Sequence, residues 1–429
     1  MAFLLILTLF GAYDQGSTII MPPFRHSLGF YRASKFYIDL YLGDEFSIVN
    51  PQGLTGSKME EEDDPATSSD DHILTLFGVN SGTGQILYNV KLTTLKVYGK
   101  PGSGNGEFNS PYDIAANPQG EVYVADAGNN RIVKLKYAKS LLSFDRNITD
   151  SFNYPMGVAL DSRRNLYVAD TRNNRIVVYD STGTYRYSWT RDLSEPTSIS
   201  VIDKDDIYNY YKEDYLIVID SDNKRIQKFN LSGQLLAFVH SRMIGLSNAK
   251  FMYSAIDYNG NVFVTDMINN QIHKFDRFLN YIISVGRQGT GRVEFVAPGG
   301  IFIWKRFGQI FITDQAGGQY YWLATDGFFI GCFPSRLTDA QPQTTIALYL
   351  TDLTEIRIEI SDNTNRSIRT LIPAAYQKPG EVLIAWDGRD NNGQFVPAGE
   401  YIIRAYLKPT YSAQKGYFKK ELEIKITKL

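Results

Sequence analysis

The chain has 429 residues, is 43% hydrophobic and 14% aromatic, and carries a formal net charge of −2. That composition excludes a disordered protein and is ample for two hydrophobic cores. A single cysteine, Cys332, excludes an internal disulfide, and no apolar stretch reaches the roughly 20 residues a transmembrane helix needs.

In residues 1–43, Ile6-Leu-Thr-Leu-Phe-Gly11 is identical to Ile73-Leu-Thr-Leu-Phe-Gly78. Carried forward without a gap, the alignment sets Thr18-Ile-Ile20 against Gln85-Ile-Leu87, and Leu28-Gly-Phe-Tyr31 against Leu95-Lys-Val-Tyr98. The N-terminus therefore predicts strands of an extra partial repeat. The alternative is a secretion-related segment over residues 1–11, although a basic leader and a small-residue cleavage site are both missing.

From residue 44 onward one pattern recurs. Tyr123-Val-Ala-Asp-Ala-Gly-Asn-Asn-Arg-Ile returns as Tyr167-Val-Ala-Asp-Thr-Arg-Asn-Asn-Arg-Ile, as Ile217-Val-Ile-Asp-Ser-Asp-Asn-Lys-Arg-Ile and as Phe263-Val-Thr-Asp-Met-Ile-Asn-Asn-Gln-Ile. A worn copy begins at Phe311-Ile-Thr-Asp. Asp126, Asp170, Asp220, Asp266 and Asp314 are spaced 44, 50, 46 and 48 residues apart. Each copy reads as a β-branched strand, a polar reversal and a second strand, with the aspartate accepting amides of its own turn and an asparagine taking the left-handed conformation. A Pro-x-small stretch such as Tyr154-Pro-Met-Gly-Val-Ala precedes each hairpin and a fourth strand follows, which describes the blades of a β-propeller. Residues 44–100 hold a disguised copy, interrupted by the acidic insertion 54–72. Six blades are favoured over residues 44–334, with seven as the alternative, and Cys332 is placed as a packing residue in the last outer strand.

After a polar linker, 335–343, the text changes. Residues 344–429 alternate as the strands of a small β-sandwich, with Trp386 expected between the two sheets and tight turns at Asp390-Asn-Asn-Gly393 and Pro397-Ala-Gly399.

The text Pro-x-Gly-Val-Ala followed by Asn-Leu-Tyr-Val-Ala-Asp-x-x-Asn-Asn-Arg-Ile resembles the NHL repeat. The stretch Ala385-Trp-Asp-Gly-Arg-Asp-Asn-Asn-Gly through Pro397-Ala-Gly-Glu-Tyr401 resembles the immunoglobulin-like domain of the flagellar hook-capping (FlgD-type) family. The other parts of a hook-capping protein are missing, so the flagellar role does not carry over. The resemblance implies an all-β protein, a propeller followed by an Ig-like sandwich, of a kind found among bacterial secreted and surface proteins.

The four histidines show no short metal-ligand spacing, and no nucleophile–base pair can be read. At one equivalent position of the inner strands stand Asp113, Gly157, Ser198 and Gly300, a poor cage for a metal. The expectation is therefore no catalytic residue, no metal and no cofactor, with a metal-dependent propeller lyase or lactonase as the runner-up. Tyr112, Asp113, Met156 and Ser198 are assigned to the channel mouth. Arg131, Arg172, Arg175, Lys224 and Arg225 lie on successive hairpin turns and form a candidate basic arc. Asp170, Asp220 and Asp222 are close enough to pair with them, and the chain is slightly acidic, so a structural Arg–Asp lattice is the simpler account and RNA an unfavoured partner. The function predicted is a non-catalytic extracellular or cell-surface binding module for a protein, peptide or glycan, with the sandwich as spacer, assembly or sorting unit.

Overall fold

The computed structural model describes residues 18–22, 32–70, 72–220, 222–411 and 418–429, and the chain divides into two compact units between Tyr321 and Trp322. The matches proposed for residues 6–11 and 28–31 lie outside the described residues.

In the first unit, antiparallel sheets follow one another along the chain. Blade 2 is typical: Pro111–Ala116, Glu121–Asp126, Arg131–Ala138 and Leu141–Ile148 pair in sequence order. Blades 3 (155–189), 4 (198–240) and 5 (251–285) repeat it. The disguised copy forms blade 1 from Pro51–Ser57, Thr75–Asn80, Gln85–Val90 and Thr94–Tyr98, so its insertion starts only after Ser57. Ile301–Trp304, Gln309–Asp314 and Gly317–Leu323 form blade 6. Among the described residues, the first strands of these six sheets neighbour one another in a closed ring, with that of blade 6 beside that of blade 1. Apolar side chains fill the seams. Val79, Val122 and Val133 belong to one such cluster, and Ile217, Phe251 and Val264 to another. Burial of this kind is worth about 1.5–3 kcal/mol per large aliphatic or aromatic side chain.

A polar clasp fixes each blade. Asp126 is fully buried: its Oδ1 accepts from the Asn109 amide at 2.7 Å, and its Oδ2 from Asn129 Nδ2 and Arg131 Nε, both at 2.8 Å. Asp170 repeats this with Asn153, Asn173 and Arg175, and Asp220 with Ser194 and Arg225. In blade 5 the buried His273 replaces the arginine, its Nε2 lying 3.1 Å from Asp266. Asn80 holds the place in blade 1, where its Oδ1 accepts from the Val49 amide at 2.7 Å. Only part of the expected bonding is internal to the turn. Asp266 does accept from the amides of Ile268 and Asn269, but every carboxylate also reaches the segment that leads into its inner strand. The left-handed asparagines Asn130, Asn174 and Asn270 (φ 50–54°) then accept the amides of Tyr154, Glu195 and Ala297, which belong to the next blade.

Blade 6 lacks the arginine and has Gln319 in its place, bonded to Asp314 at 2.8 Å. The missing guanidinium comes from the N-terminal segment. Arg32–Ala33 pairs antiparallel with Gly318 and Gln319 on the outer edge of blade 6. Arg32 Nη1 lies 4.0 Å from Asp314, and Nη2 donates to the Glu294 carbonyl at 2.8 Å, as Arg131 Nη2 does to Glu107. These residues thus complete the last blade instead of beginning an extra one.

In the second unit, Ile19–Ile20 pairs with Trp322 and Leu323. The sandwich proper consists of a three-stranded sheet (Gly327–Phe333, Thr344–Leu350, Gly380–Trp386) and a five-stranded one (Arg336–Leu337, Lys420–Lys428, Gly399–Pro409, Thr354–Asp362, Ser367–Gln377). Trp386 is buried between them, edge-on to Tyr401, and its indole N–H donates to the Arg389 carbonyl. A boundary at 334/335 therefore cuts the sandwich. Cys332 stands in its first strand, opposite Ile346, and not in an outer blade strand. Residues 335–343 are also no free linker, since Arg336 and Leu337 pair with Thr427 and Lys428. The short alternating run before Pro334 fits either sheet equally well by pattern, and pairing across the sandwich decides its place.

Two outcomes follow. A fragment starting at residue 325 should fold and melt cooperatively, whereas one starting at Thr344 should not, having lost a full edge strand of about seven residues' pairing; circular dichroism melts of both fragments decide this. Arg32→Ala should cost about 2–4 kcal/mol in denaturant unfolding of the full chain, since it leaves a buried carboxylate short of its cation, while exposed Lys35→Ala should cost less than about 0.5 kcal/mol.

Candidate functional site

The six inner strands surround a channel, and one residue per blade stands at the same level: Gly53, Asp113, Gly157, Ser198, Tyr253 and Gly300. Three of them are glycines because the backbones crowd. A Cβ on Gly300 would lie 2.5 Å from the Gln52 carbonyl oxygen, and one on Gly53 would lie 2.3 Å from Asp113 Oδ1. The room they leave is taken by Tyr253. Its hydroxyl donates to the Tyr112 carbonyl at 2.8 Å and bonds Gln52 Oε1 at 3.0 Å, and its ring stacks on that of Tyr112 at 5.8 Å. A blade 5 side chain thus reaches blades 1 and 2 and closes the channel on the face that carries the hairpin turns. Tyr253 is buried and Tyr112 half-buried, and desolvation holds both phenols well above the ordinary tyrosine range.

Asp113 lies in the wall just inside this plug. Oδ1 accepts from its neighbour's amide at Ile114 (2.9 Å), and Oδ2 from the amide of Val158 in blade 3 (3.1 Å). No cation pairs with it among the described ion pairs. Burial pushes its carboxyl up to about 7, against the opposing pull of those two amides. Beyond it the channel widens into a cavity of about 170 Å³ that Ser198, Ser200 and Ser254 help to line. The Ser200 and Ser254 hydroxyls bond each other at 2.8 Å, and the Ser198 hydroxyl is buried with no partner. At the far face the cavity ends at Lys305, which forms a 2.7 Å ion pair with Asp206 from the long connection 203–214.

Of the channel-mouth residues named from sequence, Tyr112, Asp113 and Ser198 share this channel, and Met156 stands half-buried one residue before Gly157. Sequence reading missed Tyr253, whose signal was the loss of Pro-x-small from the blade 5 inner strand. It also missed Lys305 and Asp206, for which no motif exists.

The basic arc divides. Arg131 is buried, bonded to Asp126 and to the carbonyls of Ser103, Gly104 and Glu107. Arg175 and Arg225 are likewise spent on Asp170 and Asp220. Arg172 is exposed, its guanidinium 4.3 Å above the Tyr154 ring, and Lys224 is half-exposed at 3.6 Å from Asp222. Two of the five cations therefore remain open to solvent. Among the described residues no three His, Cys, Asp or Glu side chains converge in metal-binding geometry, and no helix is long and apolar enough to cross a membrane.

Two family models agree with this architecture. The NHL repeat family matches residues 108–135 and 152–179, and the FlgD Ig-like domain family matches residues 335–409. The chain thus carries NHL repeats and a FlgD-type Ig-like domain. No curated protein sequence matches it. Among solved structures, a streptogramin B lyase aligns at 15% identity over 65% of this chain and 95% of its own (TM-score 0.45). A gluconolactonase from Xanthomonas campestris aligns at 12% over 64% and 86% (TM-score 0.45). PorZ of the type-IX secretion system of Porphyromonas gingivalis aligns at 12% over 83% and 58% (TM-score 0.39).

Asp113 supplies a pH test. Because its folded value exceeds that of the unfolded chain, the folded state holds an extra proton between the ordinary carboxylate range and about pH 7, and stability falls as pH rises through that window. Relative to Asp113→Asn, the wild type should lose on the order of 2–4 kcal/mol between pH 4 and pH 8 in urea unfolding. A difference that stays flat with pH would mean the carboxyl ionises normally.

Proposed function

We propose that the chain is a non-catalytic binding protein of the bacterial exterior or cell surface, whose propeller turn face holds a protein, peptide or glycan. The Ig-like sandwich serves as spacer, assembly or sorting unit. The observation that carries this reading is the plug. With Tyr253 bonded to both Tyr112 and Gln52, the turn face offers a floor on which a ligand lies, and not a pit that swallows a substrate. Asp113, the carboxyl just beneath the plug, has both oxygens engaged by backbone amides, which suits a wall residue better than a general base. On that floor Arg172 stacked on Tyr154, with half-buried Met156 and with Lys224, combines cation, aromatic and thioether surface, a composition enriched at recognition sites.

Replacing Arg172 and Lys224 together by Glu should reduce capture on peptide and glycan arrays by about tenfold or more, while stability moves by less than about 1 kcal/mol because neither charge is buried. Array profiles that are unchanged in the double variant would sink the turn-face reading. Lactone or lyase turnover abolished by Asp113→Asn would replace it with an enzyme.

A further inference from the structure

The channel below the plug is unused by the turn-face reading, and the plug separates the two. It is closed above by Tyr253 and runs along the inner strands to Lys305, a depth of about 10 Å for the three residue steps from Asp113 to Ala116. Its volume, about 170 Å³, holds far more than one water and is on the scale of a hexose. Its polar groups are ordered along its length. At the blind end is a carboxylate with no cation and with lone pairs left on each oxygen. The Ser198 hydroxyl lines the cavity, buried and without a hydrogen-bond partner. Next comes the Ser200–Ser254 hydroxyl pair, and at the outer end an ammonium, Lys305, paired to Asp206 across the mouth and partly open to solvent.

A buried carboxylate held by backbone amides alone lacks a charge partner among the described ion pairs and is relieved by a donor that brings positive charge. Hydroxyls beside it satisfy a polyol or an amino acid, and a lysine at the mouth receives an outward carboxylate or hydroxyl. We propose that the channel is a blind binding site, opening on the face of the 203–214 connection, for a small primary amine that also carries hydroxyl or carboxylate groups. The ammonium sits against Asp113 and Ser198, and the rest of the molecule points toward Lys305. Two sources share that chemistry, amino sugars and ω-amino acids, and they differ in whether they need Lys305.

The test is calorimetric titration of the full chain at pH 7.5 with D-glucosamine, D-glucose and 5-aminopentanoate. At least one amine should bind, and D-glucose, the same polyol without the amine, should bind about tenfold or more weakly than the amine that does. Ser198→Ala, which leaves the wall shape intact, should weaken the bound amine several-fold, and Asp113→Asn should erase the preference for amine over D-glucose. Lys305→Ala should weaken 5-aminopentanoate but not D-glucosamine if the mouth lysine receives a carboxylate, and equal loss of both still places the ligand in the channel. Arg172→Glu with Lys224→Glu should leave these titrations unchanged, so failure of the turn-face reading and failure of this one are read separately. No heat from either amine at about 10 mM overturns the proposal. So does equal affinity for D-glucose and D-glucosamine, or amine binding that survives Ser198→Ala and Asp113→Asn undiminished.

Discussion

The buried carboxylate in the hairpin turn of five of the six blades is the interaction on which the propeller depends. A β-sheet hydrogen-bonds its strands to one another but says nothing about how the chain arrives at the innermost one. In this protein the aspartate accepts the amide of the residue that leads into the inner strand while gripping the arginine of the third strand, so one side chain ties three parts of a blade together. The left-handed asparagine four residues on then bonds, in the next blade, the amide just after the one that blade's own aspartate holds. Intra-blade and inter-blade order are thus set by two polar residues, four apart, of a single turn. The aspartate is fully buried, which makes its set of partners close to obligatory: a carboxylate in that position without its amide and its cation would be one of the most unfavourable groups in the molecule.

The same requirement explains how the worn copies survive. Where arginine is lost, another donor comes from a different place. In blade 5 it is the imidazole of His273, two positions further along the third strand. In blade 6 it is the amide of Gln319, with the charge of Arg32 from outside the repeat 4.0 Å from the acid. In blade 1 an asparagine replaces the acid and needs no cation. The motif is better described as a buried acceptor with matched donors than as a fixed string of letters.

Much of this was legible in the sequence and the remainder was hidden for identifiable reasons. The period, the hairpins, the disguised first copy and the buried Trp386 are local features, carried by strand alternation and turn chemistry. The aspartate's longer bond was not, because its partner lies 16 to 26 residues upstream and is a backbone amide, which has no letter. The Arg–Asp lattice was legible in the short spacing, and Arg131, Arg175 and Arg225 do fold back five residues onto an acid; which cations stay open to solvent, Arg172 and Lys224, the spacing does not reveal. Tyr253 was concealed by its own irregularity: its strand breaks the pattern that located the other inner strands, and that break is what puts an aromatic ring across the axis. The strand Gly327–Phe333 was misassigned because alternation specifies a half-buried strand and not which sheet it joins.

The pairing of Arg32 with Gln319 has a consequence for the life of the chain before it is folded. The two residues lie roughly 290 positions apart, so the outer edge of the last blade stays open until the whole stretch between them has been made. Contacts of such long range are slow to form, because the loop they close must lose its freedom before the contact is gained. Until then the nascent protein is an arc with a bare strand edge at one end and an unmatched arginine at the other. An open edge of this kind can in principle also pair with the same strand of another molecule, and the chain's own strand wins through its higher effective concentration.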